Sequence, residues 1–169
     1  MGGGASVLAS RLLDAGHSVA VLDIAPAAIE RSKRRLGDRA ACVQWIVGDM
    51  TTLNEVGTFD VWHDRAAFHF LTRQDERERY VSLLRRTVPP GGHAIIATFA
   101  PDGPAQCSGL DVVRYDGETL ARELGSDFAR VRSVPETHFT PWGKPQHFQY
   151  SVFRYQPAGA AARGDAAHG

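Results

Sequence analysis

Short apolar runs alternate with amphipathic segments along the first hundred residues of the chain. The runs have the length of buried strands, which predicts strands over 19–23, 43–47, 59–65 and 93–99. Apolar residues at helical spacing lie between them and predict helices over 7–16, 27–36 and 75–87. Because strands and helices alternate, we predict an α/β fold with a doubly wound, mostly parallel sheet and helices on both faces.

The pattern changes after the fourth predicted strand. Residues 100–110 are rich in proline and glycine and predict a long loop. Asp116 can then cap a helix that runs to Leu124. Two more apolar stretches, 128–134 and 147–155, are expected to form an antiparallel pair of strands at one edge of the sheet.

Length and composition are typical of one globular domain. We predict that this domain covers residues 1–155 of the 169 and that 156–169, dominated by Pro, Ala and Gly, form a disordered tail. Lys+Arg and Asp+Glu balance at 19 each, so charge gives no indication of a nucleic-acid or membrane partner. No apolar run approaches the roughly 20 residues of a membrane span. Cys42 and Cys107 lack metal-ligand spacing, so we expect no metal site. We expect both to be reduced thiols, as in a cytoplasmic protein.

A glycine-rich start and an acid after the first predicted strand suggest a nucleotide site. Gly2, Gly3 and Gly4 (the glycine loop) can turn sharply and approach a ligand closely because they lack a Cβ. Asp23 ends the strand and follows the last of these glycines by 23 − 4 = 19 residues. In nucleotide-binding folds, a carboxylate at this position accepts hydrogen bonds from ribose hydroxyls. Capping of the helix that begins near Pro26 is an alternative role for Asp23.

Several longer strings of unusual composition lie near the ends of the later predicted elements. They are Gly48-Asp49, Trp62-His63-Asp64-Arg65-Ala66, Phe68-His69-Phe70-Leu71-Thr72, Pro90-Gly91-Gly92, Cys107-Ser108-Gly109-Leu110 and Arg114-Tyr115. Together with the glycine loop and Asp23, they resemble the class I, seven-strand, Rossmann-like S-adenosylmethionine-dependent methyltransferases. The resemblance covers about residues 2–155 and is closest to a bacterial branch of small methyltransferases.

The resemblance implies methyl transfer from S-adenosylmethionine to an unidentified nucleophile, with release of S-adenosylhomocysteine. The acceptor would be a small molecule or a protein side chain. A truncated cofactor-binding protein without methyltransferase activity is the alternative. A nicotinamide-dependent oxidoreductase would also use a glycine loop, but Gly48-Asp49 and Pro90-Gly91-Gly92 argue against that class.

The resemblance also implies which residues hold the cofactor. The glycine loop, with Ser6, would bind the methionine part. Asp23 would accept hydrogen bonds from both ribose hydroxyls, and Ile24 would lie against the adenine. Asp49 would accept a hydrogen bond from the adenine amino group, with the backbone of Met50 nearby.

Candidates for catalysis and acceptor binding follow the later strands, because ligands bind at the carboxyl ends of strands in open α/β sheets. Methyl transfer requires alignment of the reactants and, for some acceptors, removal of a proton. We predict as catalytic residues His63, Asp64 and Tyr115. We predict as acceptor-binding residues Arg65, His69 and Arg114. Two alternatives remain open, since Asp64 could cap the segment that follows it and His69 could be a core histidine.

The start of the chain differs from the family pattern. In the family, the glycine loop follows the first, central strand, which carries an acid two residues before the first glycine. Only Met1 precedes Gly2 here, so we expect a sheet without that strand and a cofactor site without that acid. Unpaired strand edges are avoided in native proteins. We therefore expect neighbouring strands, another segment or a second chain to close the gap, and we predict a homodimer.

Overall fold

A computed structural model describes residues 7–140 and 142–159 of the chain. The predicted cofactor residues Gly2, Gly3, Gly4 and Ser6 therefore lie outside the described residues, as does most of the predicted tail. None of the helices in the described ranges has the length and apolar character that crossing a bilayer requires.

Helices and strands alternate through most of the first hundred residues, as their apolar pattern predicts, but residues 48–60 join two consecutive strands without a helix. The helices are α1 (Leu8–Asp14), α2 (Pro26–Leu36), α3 (Gln74–Thr87) and α4 (Gly117–Leu124), with 3-10 turns at Gly37–Cys42 and Phe68–Phe70. The strands are β1 (Val19–Asp23), β2 (Val43–Val47), β3 (Val61–Arg65), β4 (His93–Phe99), β5 (Gln106–Cys107), β6 (Leu110–Asp111), β7 (Phe128–Phe139) and β8 (Pro145–Tyr155).

The main strands form two sheets. Strands β1 and β2 pair in parallel, with Asp23 opposite Val47. Strands β3 and β4 also pair in parallel, and β8 and β7 extend that sheet antiparallel in the order β3-β4-β8-β7. The predicted α/β class and the antiparallel C-terminal pair are therefore confirmed. Among the described residues no strand pairs with both β1 and β3, and the division into two sheets falls at the place where the sequence predicts a missing strand.

The C-terminal hairpin is longer than its sequence predicts. Prolines argue against strand structure because they donate no ladder hydrogen bond. Pro135 is nevertheless accommodated because β7 is the outer strand of the sheet, and Pro145 because it is the first residue of β8. Strand β4 ends at Phe99, opposite Phe148, so the hairpin projects beyond the sheet.

The predicted loop 100–110 also contains regular structure. Strands β5 and β6 form a small hairpin within and just after it. Ser108 and Gly109 occupy its turn, and both have positive φ angles, of 53° and 80°. Two residues with positive φ are the signature of a tight hairpin turn.

Two hydrophobic clusters hold the elements together. The larger one packs α3, through residues such as Leu83 and Leu84, against the sheet residues Trp62 and Ile96. The smaller one lies between β1, β2 and the helices α1 and α2. Leu22 of β1 belongs to the larger cluster, so the two sheets are joined by side-chain packing.

A buried hydrogen-bond network lies at the end of β3. The Trp62 indole donates to the Tyr80 hydroxyl at 2.8 Å, and this hydroxyl donates to Asp64 Oδ2 at 2.8 Å. Asp64 is completely buried, and it also accepts the backbone N–H groups of Ala67 and Phe68 at 2.9 and 3.1 Å. Burial raises the pKa of Asp64, and these hydrogen bonds oppose that rise. The three donors satisfy the carboxylate and fix the turn after β3 to helix α3.

His69 is a second completely buried titratable residue. Its Nδ1 accepts the backbone N–H of Phe99 at 3.3 Å, so a neutral imidazole carries its proton on Nε2. Burial lowers the pKa of His69 from 6.5 to about 4. The rings of Phe70 and Phe99 pack against it at centroid distances of 4.6 and 4.8 Å. The alternative that His69 is a core histidine agrees with these contacts.

The Tyr80 hydroxyl should contribute strongly to stability. Tyr80→Phe leaves the Trp62 indole and one oxygen of Asp64 without this partner inside the core, so we expect the free energy of unfolding in urea to fall by about 2–3 kcal/mol. Tyr150→Phe is the matched control because it removes a hydroxyl whose hydrogen bond with Arg65 is exposed to solvent. This change should lower the unfolding free energy by less than about 1 kcal/mol. Equal losses in the two variants would contradict the structural role of the network.

His69 should make stability fall in acid. Its pKa in the folded protein lies below its unfolded value, so the stability it provides is complete above pH 6.5 and is lost as the pH falls towards 4. The slope from this residue is at most about 1.4 kcal/mol per pH unit. We expect His69→Gln to flatten the unfolding free energy between pH 6.5 and 4.5, whereas His17→Gln, which removes an exposed ring, should not. A slope unchanged by His69→Gln would show that another group titrates.

Candidate active site

A cleft of about 400 Å³ opens at the carboxyl ends of β1 and β2. Four of the predicted cofactor residues line it: Asp23, Ile24, Asp49 and Met50. The opposite wall is formed mainly by residues that follow β3, namely Ala66, Ala67, Phe70 and Leu71, with Leu110 from the β5–β6 hairpin. The structure therefore brings together the described part of the predicted cofactor site, and the cleft spans both sheets.

Parallel pairing places the two acids side by side. Asp23 ends β1, and the N–H of Gly48, just after β2, donates to the Asp23 carbonyl at 3.1 Å. Asp49 therefore follows at the same edge. Asp23 Oδ1 also accepts the N–H of Ala25 at 2.9 Å, which closes a short turn just before α2. The alternative prediction that Asp23 caps this helix is wrong, because the N-cap residue is Ala25 and no side chain caps α2. A carboxylate can accept several hydrogen bonds at once, so this turn does not exclude ligand binding.

Asp49 is held by the turn after β2. Its Oδ1 accepts both the backbone N–H and the hydroxyl of Thr51, each at 2.8 Å. None of the hydrogen bonds among the described residues goes to Asp49 Oδ2, so this oxygen can act as an acceptor at the cleft. A fixed carboxylate with one oxygen available suits an amino group or a hydroxyl of a ligand.

Two apolar residues of the cleft lining are largely exposed. Ile24, which directly follows Asp23 in the sequence, is 67% exposed, and Leu110 on the other wall is 62% exposed. Large exposed apolar side chains beside acceptors fit a ligand with a flat apolar ring and several donors. A nucleoside has this chemistry, because its base is planar and its ribose hydroxyls and base amino group are donors. The residues present therefore fit the nucleoside part of S-adenosylmethionine.

The turn after β3 shapes the far wall of the cleft. Ala66 has a φ of 62°, in the left-handed region that an alanine rarely adopts. The Ala66 N–H donates to the Ala97 carbonyl at 2.9 Å, and the next two N–H groups donate to Asp64. The alternative prediction that Asp64 caps the following segment agrees with these bonds. Asp64 does not line the cleft, and a catalytic role for it remains a prediction.

The side chain of His63 lies on the face of β3 opposite to that of Asp64. It is half-buried and lines a depression between the two sheets together with Leu22, Ile46 and Trp62. Burial lowers the pKa of His63, and the nearby guanidinium of Arg65 lowers it further. Its imidazole is therefore neutral at pH 7, as proton acceptance requires.

Tyr115 and Arg114 precede α4. Tyr115 is buried against Phe68, with ring centroids 5.4 Å apart, and its hydroxyl has no hydrogen-bond partner among the described residues. Burial and the nearby carboxylate of Glu123 raise the pKa of Tyr115 to about 12. Arg114 is exposed and donates to the carbonyl of Gly103 at 3.3 Å. Neither residue lines the cleft, so their predicted roles remain predictions.

Sequence reasoning missed the partners of Arg65. Arg65 Nε donates to the Tyr150 hydroxyl at 2.9 Å, and its guanidinium carbon lies 5.3 Å from the ring centroid of Phe148. Both partners belong to β8, and no local pattern near Arg65 indicates them. Within residues 7–140 and 142–159, no group of three His, Cys, Asp or Glu side chains is placed to hold a metal ion.

Residues 1–92, just over half of the chain, match the family described as a methyltransferase domain. Nodulation protein S of Rhizobium tropici is 26% identical over 98 residues, which are 58% of this chain and 41% of that protein. The chain thus spans less than half the length of this curated relative.

Solved structures share the fold. A protein described under "Conversion of a Disulfide Bond into a Thioacetal Group during Echinomycin Biosynthesis" superposes with a TM-score of 0.75 at 17% identity, over 95% of this chain and 75% of that one. The 1,6-didemethyltoxoflavin-N1-methyltransferase of Burkholderia thailandensis, solved with S-adenosylhomocysteine, gives 0.70 at 20% identity, over 92% and 69%. The chain therefore belongs to the methyltransferase domain family and has the fold of the class I S-adenosylmethionine-dependent methyltransferases, as its motifs predict.

Proposed function

We propose that this protein transfers a methyl group from S-adenosylmethionine to a nucleophile and releases S-adenosylhomocysteine. The observation that carries the proposal is the cleft at the ends of two paired parallel strands, which Asp23, Asp49 and the exposed Ile24 line together. Bound S-adenosylmethionine supplies an already activated methyl group. The chain then has to hold the two reactants in line and exclude water.

The proposed cofactor contacts divide between the two walls of the cleft. Asp23 accepts the ribose hydroxyls and Asp49 the adenine amino group, while Ile24 and Met50 contact the adenine. The glycine loop and Ser6 take the methionine part by resemblance to the family. The lining from Ala66 to Leu71 covers the ligand on the side of β3.

We propose His63 as the proton acceptor for acceptors that must lose a proton. Its lowered pKa leaves the imidazole neutral at pH 7, which supports this role. Asp64 and Tyr115, our other catalytic candidates, are buried. These two residues support the site indirectly. Asp64 orients the turn that bears Ala66, and Tyr115 packs against Phe68.

We propose that the methyl acceptor is a small molecule and that Arg65, His69 and Arg114 contribute to its binding. The toxoflavin enzyme supports a small acceptor, since its name describes methylation of a small heteroaromatic compound. Transfer to a protein side chain is the other possibility. A cytoplasmic location is proposed as well, and the free thiols of Cys42 and Cys107 support it.

Cofactor binding can be tested without an acceptor. Asp23→Ala and Asp49→Ala should each weaken S-adenosylhomocysteine binding by about 1–3 kcal/mol, which is roughly 5- to 160-fold, because each removes a hydrogen-bond acceptor for a buried donor. Isothermal titration calorimetry measures this. Asp38→Ala, an acid in the turn at Gly37–Cys42 outside the cleft, should keep the parental affinity. Equal affinity in all three variants would remove both acids from the site, and binding without turnover would favour the non-catalytic alternative.

We also propose a homodimer. Val61 is 52% exposed on β3, and no described residue pairs with the edge of β3 that faces away from β4. Light scattering after size exclusion should give twice the mass of one chain. Val61→Lys should yield monomers by placing a charge on this edge, whereas Val131→Lys, at a position 57% exposed on β7, should leave the dimer intact. A parental protein that elutes as a monomer would disprove the proposal.

A further inference from the structure

A second apolar surface adjoins the cleft. Ala97 and Phe99 at the end of β4 pack with Phe148 of β8 into a small buried cluster. These three residues are buried, so the accessible part of the surface includes Ala66 and Tyr150, which pack against the cluster and are partly exposed. Since Ala66 also lines the cleft, this surface continues the cleft on the side away from β1 and β2.

Arg65 stands at the rim of this surface in a fixed orientation. The Tyr150 hydroxyl holds its Nε at 2.9 Å, and the ring of Phe148 lies 5.3 Å from its guanidinium carbon. An exposed arginine normally has about 2 kcal/mol of side-chain rotamer entropy to lose on being fixed. Two contacts from one strand therefore pre-organise this cation before any ligand binds.

No carboxylate neutralises Arg65. Among the described residues, none of the ion pairs includes it, and its terminal N–H groups have no hydrogen-bond acceptor. Two other charged groups that follow β4 have partners of their own, since Asp102 pairs with His147 at 2.7 Å and Arg114 donates to the carbonyl of Gly103. The guanidinium edge opposite Nε is thus a planar donor pair that faces no fixed anion.

We propose that Arg65 binds an anionic group of the methyl acceptor, a carboxylate or a phosphate, while the apolar body of the acceptor lies against the partly exposed Ala66 and Tyr150. This inference rests on the proposed methyl transfer and names its substrate class. The planar fork of arginine matches both anions in a bidentate manner. Binding there places the acceptor beside Ala66, at the border of the cofactor cleft. Tyr150 acts as a positioning residue through its hydrogen bond to Arg65.

The test uses the full chain saturated with S-adenosylhomocysteine. Calorimetry measures the affinity for three probes, each an aromatic amine with a different group at the opposite end of the ring. They are 4-aminobenzoate, 4-aminophenyl phosphate and 4-aminobenzamide. We expect at least one anion to bind roughly tenfold more tightly than the neutral amide, as expected for charge-assisted hydrogen bonds to arginine. The tighter of the two anions identifies the group that the site takes.

Variants connect this preference to Arg65. Arg65→Gln should abolish the preference for the anions, and Arg65→Lys should retain only part of it because lysine lacks the planar fork. Tyr150→Phe should weaken the anions a few-fold while leaving the amide unchanged. Arg154→Gln, at the opposite end of β8, is the control and should keep the full preference.

The outcomes separate the two levels of the proposal. The affinity for S-adenosylhomocysteine in each variant confirms that its fold and cleft are intact. If the parental chain does not bind S-adenosylhomocysteine, the proposed function fails. If it does, but the three probes bind equally or none binds, only the role of Arg65 is overturned. A preference that survives Arg65→Gln overturns it as well.

Discussion

The buried carboxylate of Asp64 is the interaction on which the rest of the site depends. It joins β3, α3 and the turn after β3, because its two oxygens accept hydrogen bonds from the Tyr80 hydroxyl of α3 and from two N–H groups of the turn. This turn forces Ala66 into a left-handed conformation that an alanine adopts at a cost of roughly 1–2 kcal/mol. The geometry then sends Ala66 and Ala67 into the cleft wall and leaves Arg65 directed to solvent. A group that is ionisable in principle thus acts here as a structural centre.

The cleft depends equally on how two sheets pack. Its acids come from the ends of β1 and β2, whereas its far wall follows β3 in the larger sheet. Among the described residues, backbone pairing does not connect these sheets, and Leu22 and Ile46 join them by contact with the cluster around Trp62. The distance between the two walls is therefore set by side-chain packing, which is less directional than a ladder of hydrogen bonds.

Much of this could be predicted because the informative signals are local. Strands 19–23, 43–47 and 93–99 have the predicted limits, since continuous apolar runs between turns are typical of buried parallel strands. Asp23 and Asp49 follow paired strands, so their meeting is a consequence of parallel pairing. The contact of Arg65 with Tyr150 was not predictable, because it joins residues 85 positions apart through an antiparallel register. Pro135 and Pro145 misled the strand limits because only the final sheet order places them at positions that need no donor.

Because the cleft is lined by residues of both sheets, a ligand bound there contacts both and stabilises their association. Binding free energy that depends on both walls is added to the free energy that keeps the parts together, by the ordinary linkage between ligand binding and folding. Without the ligand, the small β1–β2 unit has its own cluster and the contacts that Leu22 and Ile46 make with the larger one. With the ligand, separation of the sheets also requires release of the ligand. Cooperativity of unfolding thereby becomes a property of the complex, and its change on binding measures how much of the contact energy the second wall provides.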